Sequence, residues 1–344
     1  MRQAEVVVPR DVRQVSREVV AFLDPHLRAA VGRLEQPLRG MAEYYFRWVD
    51  ADGLPCPVVA CTRRRYGSLF LLSSGGGEHA WNRARNAAVA GSLLLASVTV
   101  HDDIIDEELV RNGRPTVHAV FGVPAALYVG NALVGLASEL LAQEPAHLAG
   151  ELVRRLSEVV REIANCQILD VTFEGSNVAS LQEALAVSAA KIAPGAAFAC
   201  AAGALCAGAS EAQVQAAAEV GSEFGKAWAL WDELEEYAAG DGPTAVDRLA
   251  DLRQRRIVPS VAYALQSEGP AREKLLAYFH DTAAPDSAGI LQTRDLIEEC
   301  GALLWLRERI DAHLNQAMYR LPDAIDDPVA RDEFASCLRG WAVS

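Results

Sequence analysis

The chain has 344 residues, 51% hydrophobic, 23% charged and 7% aromatic, a balance that suits a globular protein with a large core and excludes disordered and fibrous classes. Lys and Arg total 32 against 46 Asp and Glu, and the resulting charge of −14 repels phosphate backbones and excludes nucleic-acid binding as a primary role. The 7 cysteines form no CxxC pair and no zinc spacing with histidine, so free thiols in a reducing cytoplasm are expected.

The first 20 residues alternate apolar and charged side chains without an apolar core segment, which argues against a signal peptide. Residues 13–49 carry apolar side chains three and four apart, through Val15, Val19, Phe22, Leu23, Leu34, Leu38 and Tyr44. That spacing predicts an amphipathic helix, broken or kinked at Pro25 and Pro37. Asp-Gly and Pro-Cys-Pro make 50–66 a loop, and Gly75–Gly77 separates Leu69–Leu72 from a long helix over 80–110. Further helices fit 124–142, 148–173, 180–207, 211–238, 246–268 and 290–319, with helical fragments beyond. Ile192 to Ser210 carries no charge but is rich in Ala and Gly and contains Pro194, so it reads as a buried helix and not a membrane span. No run alternates as a strand would. The expectation is an all-α, soluble, cytoplasmic protein, one large helical bundle over 1–344.

The chemistry concentrates in His101-Asp102-Asp103-Ile104-Ile105-Asp106-Glu107. On a helix, Asp102 and Asp106 lie one above the other with Asp103 beside them. Clustered carboxylates repel unless a cation joins them, and a hard ion such as Mg²⁺ takes oxygen ligands and shares them with substrate phosphates. A second acidic segment, Asp232-Glu233-Leu234-Glu235-Glu236, lies about 130 residues on.

The run from Asp102 through Arg111-Asn112-Gly113-Arg114-Pro115-Thr116-Val117-His118 to Gly130-Asn131 resembles the first aspartate-rich region of the trans-isoprenyl diphosphate synthase, or polyprenyl synthetase, family. The family pattern is DDxxD, RRGxPTxH, then GD or GN before an apolar helix. Cys166-Gln167-Ile168-Leu169-Asp170 is similar to its GQxxD, and Lys191 falls where its KT motif begins. Gly225 to Glu236 resembles GxAFQxxDDxxD, with Trp228 in the Phe place, Ala229 in the Gln place and Asp-Glu-x-x-Glu for the acidic residues. Asp251 to Pro259 resembles DLxxGKxTLP, one residue short. The resemblance covers roughly 40–270, leaving 271–344 as C-terminal helices.

It implies an isoprenoid-synthase bundle with a central active-site cavity, an allylic prenyl diphosphate as substrate, three Mg²⁺ ions and a homodimer. Metal ligands would be Asp102, Asp103, Asp106, Asp232 and Glu236. Arg111, Gln167, Asp170, Lys191 and Arg255 would contact substrate, and Leu95, Val98, Trp228 and Trp231 would line the hydrocarbon and its cation. His101 would support the metal ligands through hydrogen bonding. Asp102, Asp103, Asp106, Arg111 and Lys191 form the catalytic set.

The departures carry information as well. Chain-elongating members bind isopentenyl diphosphate with Lys and Arg of GGKxxRP, a His or Gln seven residues before DDxxD, and the second Arg of RRG. The corresponding positions here are Arg63, Tyr66, Leu95 and Asn112, with Gly67 in the Pro place. The allylic half is kept and the isopentenyl half is eroded. Ionisation followed by cyclisation or quenching is therefore the leading reading. Transfer to a non-standard acceptor or to isopentenyl diphosphate is the alternative, and a non-catalytic partner subunit comes third.

Overall fold

A computed structural model describes residues 10–56, 65–173, 180–238, 246, 248–281 and 283–341, except for the side chains at 65 and 170–173. Helices account for nearly all regular structure. They are α1 (Val12–Val31), α2 (Leu38–Tyr45), α3 (Arg65–Ser73), α4 (Glu78–Ile105), α5 (Val117–Phe121), α6 (Val123–Ala142), α7 (Ala146–Phe173), α8 (Leu181–Ala207) and α9 (Glu211–Tyr237). The rest are α10 (Ala250–Arg253), α11 (Pro259–Ala264), α12 (Pro270–His280), α13 (Ser287–Glu299), α14 (Ala302–Ala324) and α15 (Pro328–Trp341). The all-α expectation holds.

Boundaries differ where local chemistry outweighs period. Asp11 caps α1 by accepting the Gln14 N–H at 2.7 Å, and the helix continues through Pro25. Among the described residues, the stretch expected as one helix over 246–268 is interrupted, with α10 and α11 separated by a turn that holds Arg255 at φ 56°. Gly301, at φ 77°, divides the helix expected over 290–319 into α13 and α14. The long fourth helix stops at Ile105, and a two-stranded hairpin unforeseen in the sequence follows it, β1 (Val110–Arg111) paired antiparallel with β2 (Arg114–Pro115).

The chain divides into two compact units. Unit 1 comprises residues 1–157, 198–218 and 321–340, and unit 2 comprises 158–197, 219–320 and 341–344. In unit 1, α4 packs against α3 and α6 through small residues. A Cβ at Gly91 would lie 2.0 Å from the Phe70 ring, so only glycine admits that approach. In unit 2, Gly221 and Gly225 of α9 play the same part against α8, where a Cβ would meet Ala196 O at 2.2 Å and Ala193 Cα at 2.5 Å. A separate apolar cluster built on Leu252, Val261, Leu275, Phe279, Ile290 and Ile297 supports the end of α9.

Three helices, Glu78–Ile105, Val123–Leu141 and Leu181–Ala207, are long and apolar enough to cross a membrane, and their most apolar windows are 61%, 39% and 44% buried within the protein. The six described cysteines are all free thiols.

Candidate active site

In unit 1 the acidic segment ends α4. Asp103 is buried at 3% exposure, and its Oδ1 accepts the Arg111 Nε–H at 2.5 Å. Burial holds this carboxyl above its usual range, with Arg111 pulling the other way. Asp102 and Asp106 are partly exposed on the same helix end.

Arg111 is placed by the hairpin. Val110 pairs with Pro115 and Arg111 with Arg114, which leaves Asn112-Gly113 as a two-residue turn at φ 52° and 71°. Asn-Gly is the preferred pair where both central residues need positive φ. Turn chemistry therefore accounts for asparagine at 112, in the place of the second arginine of the family pattern. The hairpin is clasped by α2 and the segment after it. Arg47 donates to the carbonyls of Arg111 and Asn112 at 3.2 and 3.0 Å, Tyr44 Oη–H donates to Pro115 O at 2.7 Å, and Arg114 donates to Val49 O at 2.6 Å. The Arg114 guanidinium also lies over the Tyr44 ring, 3.9 Å from its centroid. Thr116, buried, donates to Glu108 O at 2.8 Å and lies 3.2 Å from His118 Nδ1. The PTxH portion of the motif is thus a structural fastening.

His101 turns to α6, with Nε2 3.3 Å from Leu127 O, and a Cβ at Gly130 would come within 2.2 Å of that nitrogen. The glycine of Gly130-Asn131 is explained by this contact. Leu94, Ala96 and Ser97 are buried, whereas Leu95 and Val98 are half-buried. Tyr66, in the arginine place of GGKxxRP, is buried at 6% exposure, and the charged side chains of residues 63–65 lie outside the described residues.

In unit 2 the second acidic segment ends α9. Trp228 Nε1–H donates to Asp232 Oδ1 at 3.0 Å. This indole edge serves a carboxylate. Trp231 is half-buried and its Nε1 has no hydrogen-bond partner. Glu233, which the motif reading passed over, is buried: Oε1 accepts the Ser260 N–H at 2.8 Å, while Oε2 has no hydrogen-bond partner. Tyr237 and Ser260 share a hydrogen bond at 2.7 Å beside it. Burial pushes Glu233 up to about 8. Burial, followed by the charge of Asp251, pushes Glu236 up to about 9, against the Asp251 backbone N–H that bonds it. The signal for Glu233 was present as the second residue of the acidic motif, but its burial was not.

Lys191 lies within α8, half-buried. Gln167 is half-buried on α7, and the Asp170 side chain lies outside the described residues. Arg255 directs its guanidinium over Tyr278, 5.1 Å from the ring centroid, with Asp281 at 3.9 Å. The Arg255 Nε is buried without a hydrogen-bond partner.

Among the described residues, no three His, Cys, Asp or Glu side chains converge as a preformed metal cage. The donor set nevertheless suits Mg²⁺. It consists of carboxylates, and beside the expected ligands Asp232 and Glu236 in unit 2 stands Glu233, whose buried Oε2 has no hydrogen-bond partner. Mg²⁺ keeps several waters and is usually held by one or two carboxylates plus substrate phosphate, so it needs no closed protein cage.

A family model described as Polyprenyl synthetase matches residues 62–293. The (2E,6E)-farnesyl diphosphate synthase of Mycobacterium tuberculosis is 29% identical over 300 residues, 86% of this chain and 83% of that protein. The geranylgeranyl diphosphate synthase of the same organism is 28% identical over 323 residues, 93% of this chain and 92% of that protein. The crystal structure of a polyprenyl synthetase from Streptomyces coelicolor superposes with a TM-score of 0.85 at 29% identity, covering 96% of this chain and 99% of that one. The two curated relatives are prenyl diphosphate synthases by name. The cyclisation reading finds no support in them, and prenyl transfer, its alternative, fits better.

Proposed function

The chain belongs to the polyprenyl synthetase family, and from that premise we propose that it is a Mg²⁺-dependent prenyltransferase acting on an allylic prenyl diphosphate. The supporting observation is the end of α4, where Asp102 and Asp106 stand one turn apart and Asp103 holds Arg111 on a clasped hairpin. Asp102, Asp106, Asp232 and Glu236 are the proposed metal ligands, and Arg111, Lys191 and Gln167 the proposed diphosphate contacts. When bound with the diphosphate, in this reading as three ions, Mg²⁺ neutralises its oxygens and improves it as a leaving group. The hairpin presets the direction of Arg111, so less ordering is left to substrate binding. The allylic C–O bond breaks with its electron pair going to diphosphate. The acceptor then supplies the pair for the new bond and loses a proton.

The relatives point to isopentenyl diphosphate as acceptor. Buried Tyr66 and the turn residue Asn112 stand where the family pattern has an arginine, and half-buried Leu95 where it has His or Gln, which favours an acceptor without a diphosphate. Each missing charge-assisted contact removes about 1.5–3 kcal/mol. Incubation with Mg²⁺ and C10, C15 or C20 allylic diphosphates, with and without isopentenyl diphosphate, tests the proposal. A longer prenyl diphosphate supports elongation, and turnover only with another acceptor supports the second reading. Release of a hydrocarbon from the allylic substrate alone would sink prenyl transfer.

The homodimer belongs to the same proposal. Val123, Leu127 and Tyr128, exposed at 43%, 44% and 69% on the first turns of α6, support it. Light scattering at assay concentration tests it, and a monomer there would remove it.

A further inference from the structure

Resting on the prenyl-transfer reading, we propose that Trp228 is a positioning residue for the second acidic segment: its indole N–H sets the Asp232 carboxylate for a divalent cation. The two residues lie one helical turn apart on α9, where side chains meet, and the Nε1···Oδ1 distance is 3.0 Å. The indole is itself placed by packing. Its ring lies 5.8 Å from that of Phe224, a residue 1% exposed, and Phe224 in turn meets Trp341 at 6.1 Å.

The choice of donor has a chemical consequence. An indole N–H donates one hydrogen bond and brings no positive charge, whereas a carboxylate offers about four lone-pair sites. Trp228 therefore orients Asp232 without neutralising it. Two further carboxyls of the segment accept from backbone amides, Glu233 from the Ser260 N–H and Glu236 from the Asp251 N–H. An arginine in this role, as at Asp103, would compete with a cation for the carboxylate's charge. The family pattern has phenylalanine at this place, so tryptophan adds the donor and keeps an aromatic ring. Outer donors of this kind fix ligand geometry at metal sites, and their loss weakens metal affinity by about 10–100-fold.

The test is calorimetric titration of the full chain with magnesium pyrophosphate at a series of free Mg²⁺ concentrations. Wild type is compared with Trp228→Phe, Asp232→Asn and the double variant. The expected result is a rise of about tenfold in half-saturating free Mg²⁺ for Trp228→Phe, with the ligand-free melting temperature unchanged. Asp232→Asn should lose at least as much, and the double variant no more than Asp232→Asn alone, because the indole acts through that carboxylate. Wild-type binding that Trp228→Phe leaves unaltered overturns the inference, as does a double variant whose losses simply add. Failure of wild type itself to bind magnesium pyrophosphate would overturn the prenyl-transfer reading together with this one.

Discussion

The two acidic helix ends solve one electrostatic problem in opposite ways. At the end of α4, the buried carboxylate Asp103 is balanced by a full positive charge, Arg111, which arrives on a hairpin. At the end of α9, Asp232, Glu233 and Glu236 take hydrogen bonds from neutral donors, namely an indole and two backbone amides, and burial keeps Glu233 and Glu236 protonated near neutral pH. A cation entering at α9 would compete with the protons that burial favours on Glu233 and Glu236, whereas one entering between Asp102 and Asp106 would leave the Asp103–Arg111 pair in place. Sequence similarity between the two segments conceals this difference.

Removing a proposed ligand at either end should have the largest effect. Asp102→Ala and Asp232→Ala are each expected to cut prenyl transfer by about 10²–10³-fold with the fold retained by circular dichroism. If turnover survives the loss at one end, that end does not serve the metal.

Arg111→Met sharpens the contrast, because Asp103 would be left buried without its partner. The expected loss is about 2 kcal/mol in denaturant unfolding, partly restored by Asp103→Asn in the same chain. Trp228→Phe should show no such loss, since a neutral donor leaves no charge stranded. Equal destabilisation by the two variants would erase the distinction.

A third variant probes the α4 end from behind. Gly130→Ala places a methyl 2.2 Å from His101 Nε2 and should cost about 1–3 kcal/mol as the imidazole is pushed off α6. Unchanged stability would show that His101 has room to move.

The smallest expected effect is on pH dependence, and it belongs to the α9 end. Glu233 and Glu236 titrate higher in the folded protein than the ordinary 4.5, at about 8 and about 9, so between those limits the folded chain binds more protons than the unfolded chain. Stability of the ligand-free protein should therefore fall as pH rises through that window. Glu233→Gln should flatten the slope, as should Mg²⁺ with pyrophosphate. A melting temperature that rises across the window would contradict the assignment.

Much of this was legible in the residues. The period of three and four located the long helices, because burying one apolar stripe is what makes such a helix stable. The spacing of Asp102, Asp103, Asp106 and Arg111 announced their chemistry, because carboxylates one turn apart meet wherever a helix forms. The hairpin was hidden because two residues per strand give no period to read, although Asn112-Gly113 was its turn signal. The contact of Trp228 with Asp232 was not legible because an indole has a face and an edge, and the sequence does not say which neighbour the edge meets.

Glu233 shows the same limit most sharply. Its place in the acidic motif was plain, yet burial and the Ser260 amide depend on residues 27 positions away along the chain. A one-dimensional pattern records which groups are available. Solvent exclusion, which sets the proton affinity of a carboxyl and the value of its hydrogen bonds, arises only when distant segments pack.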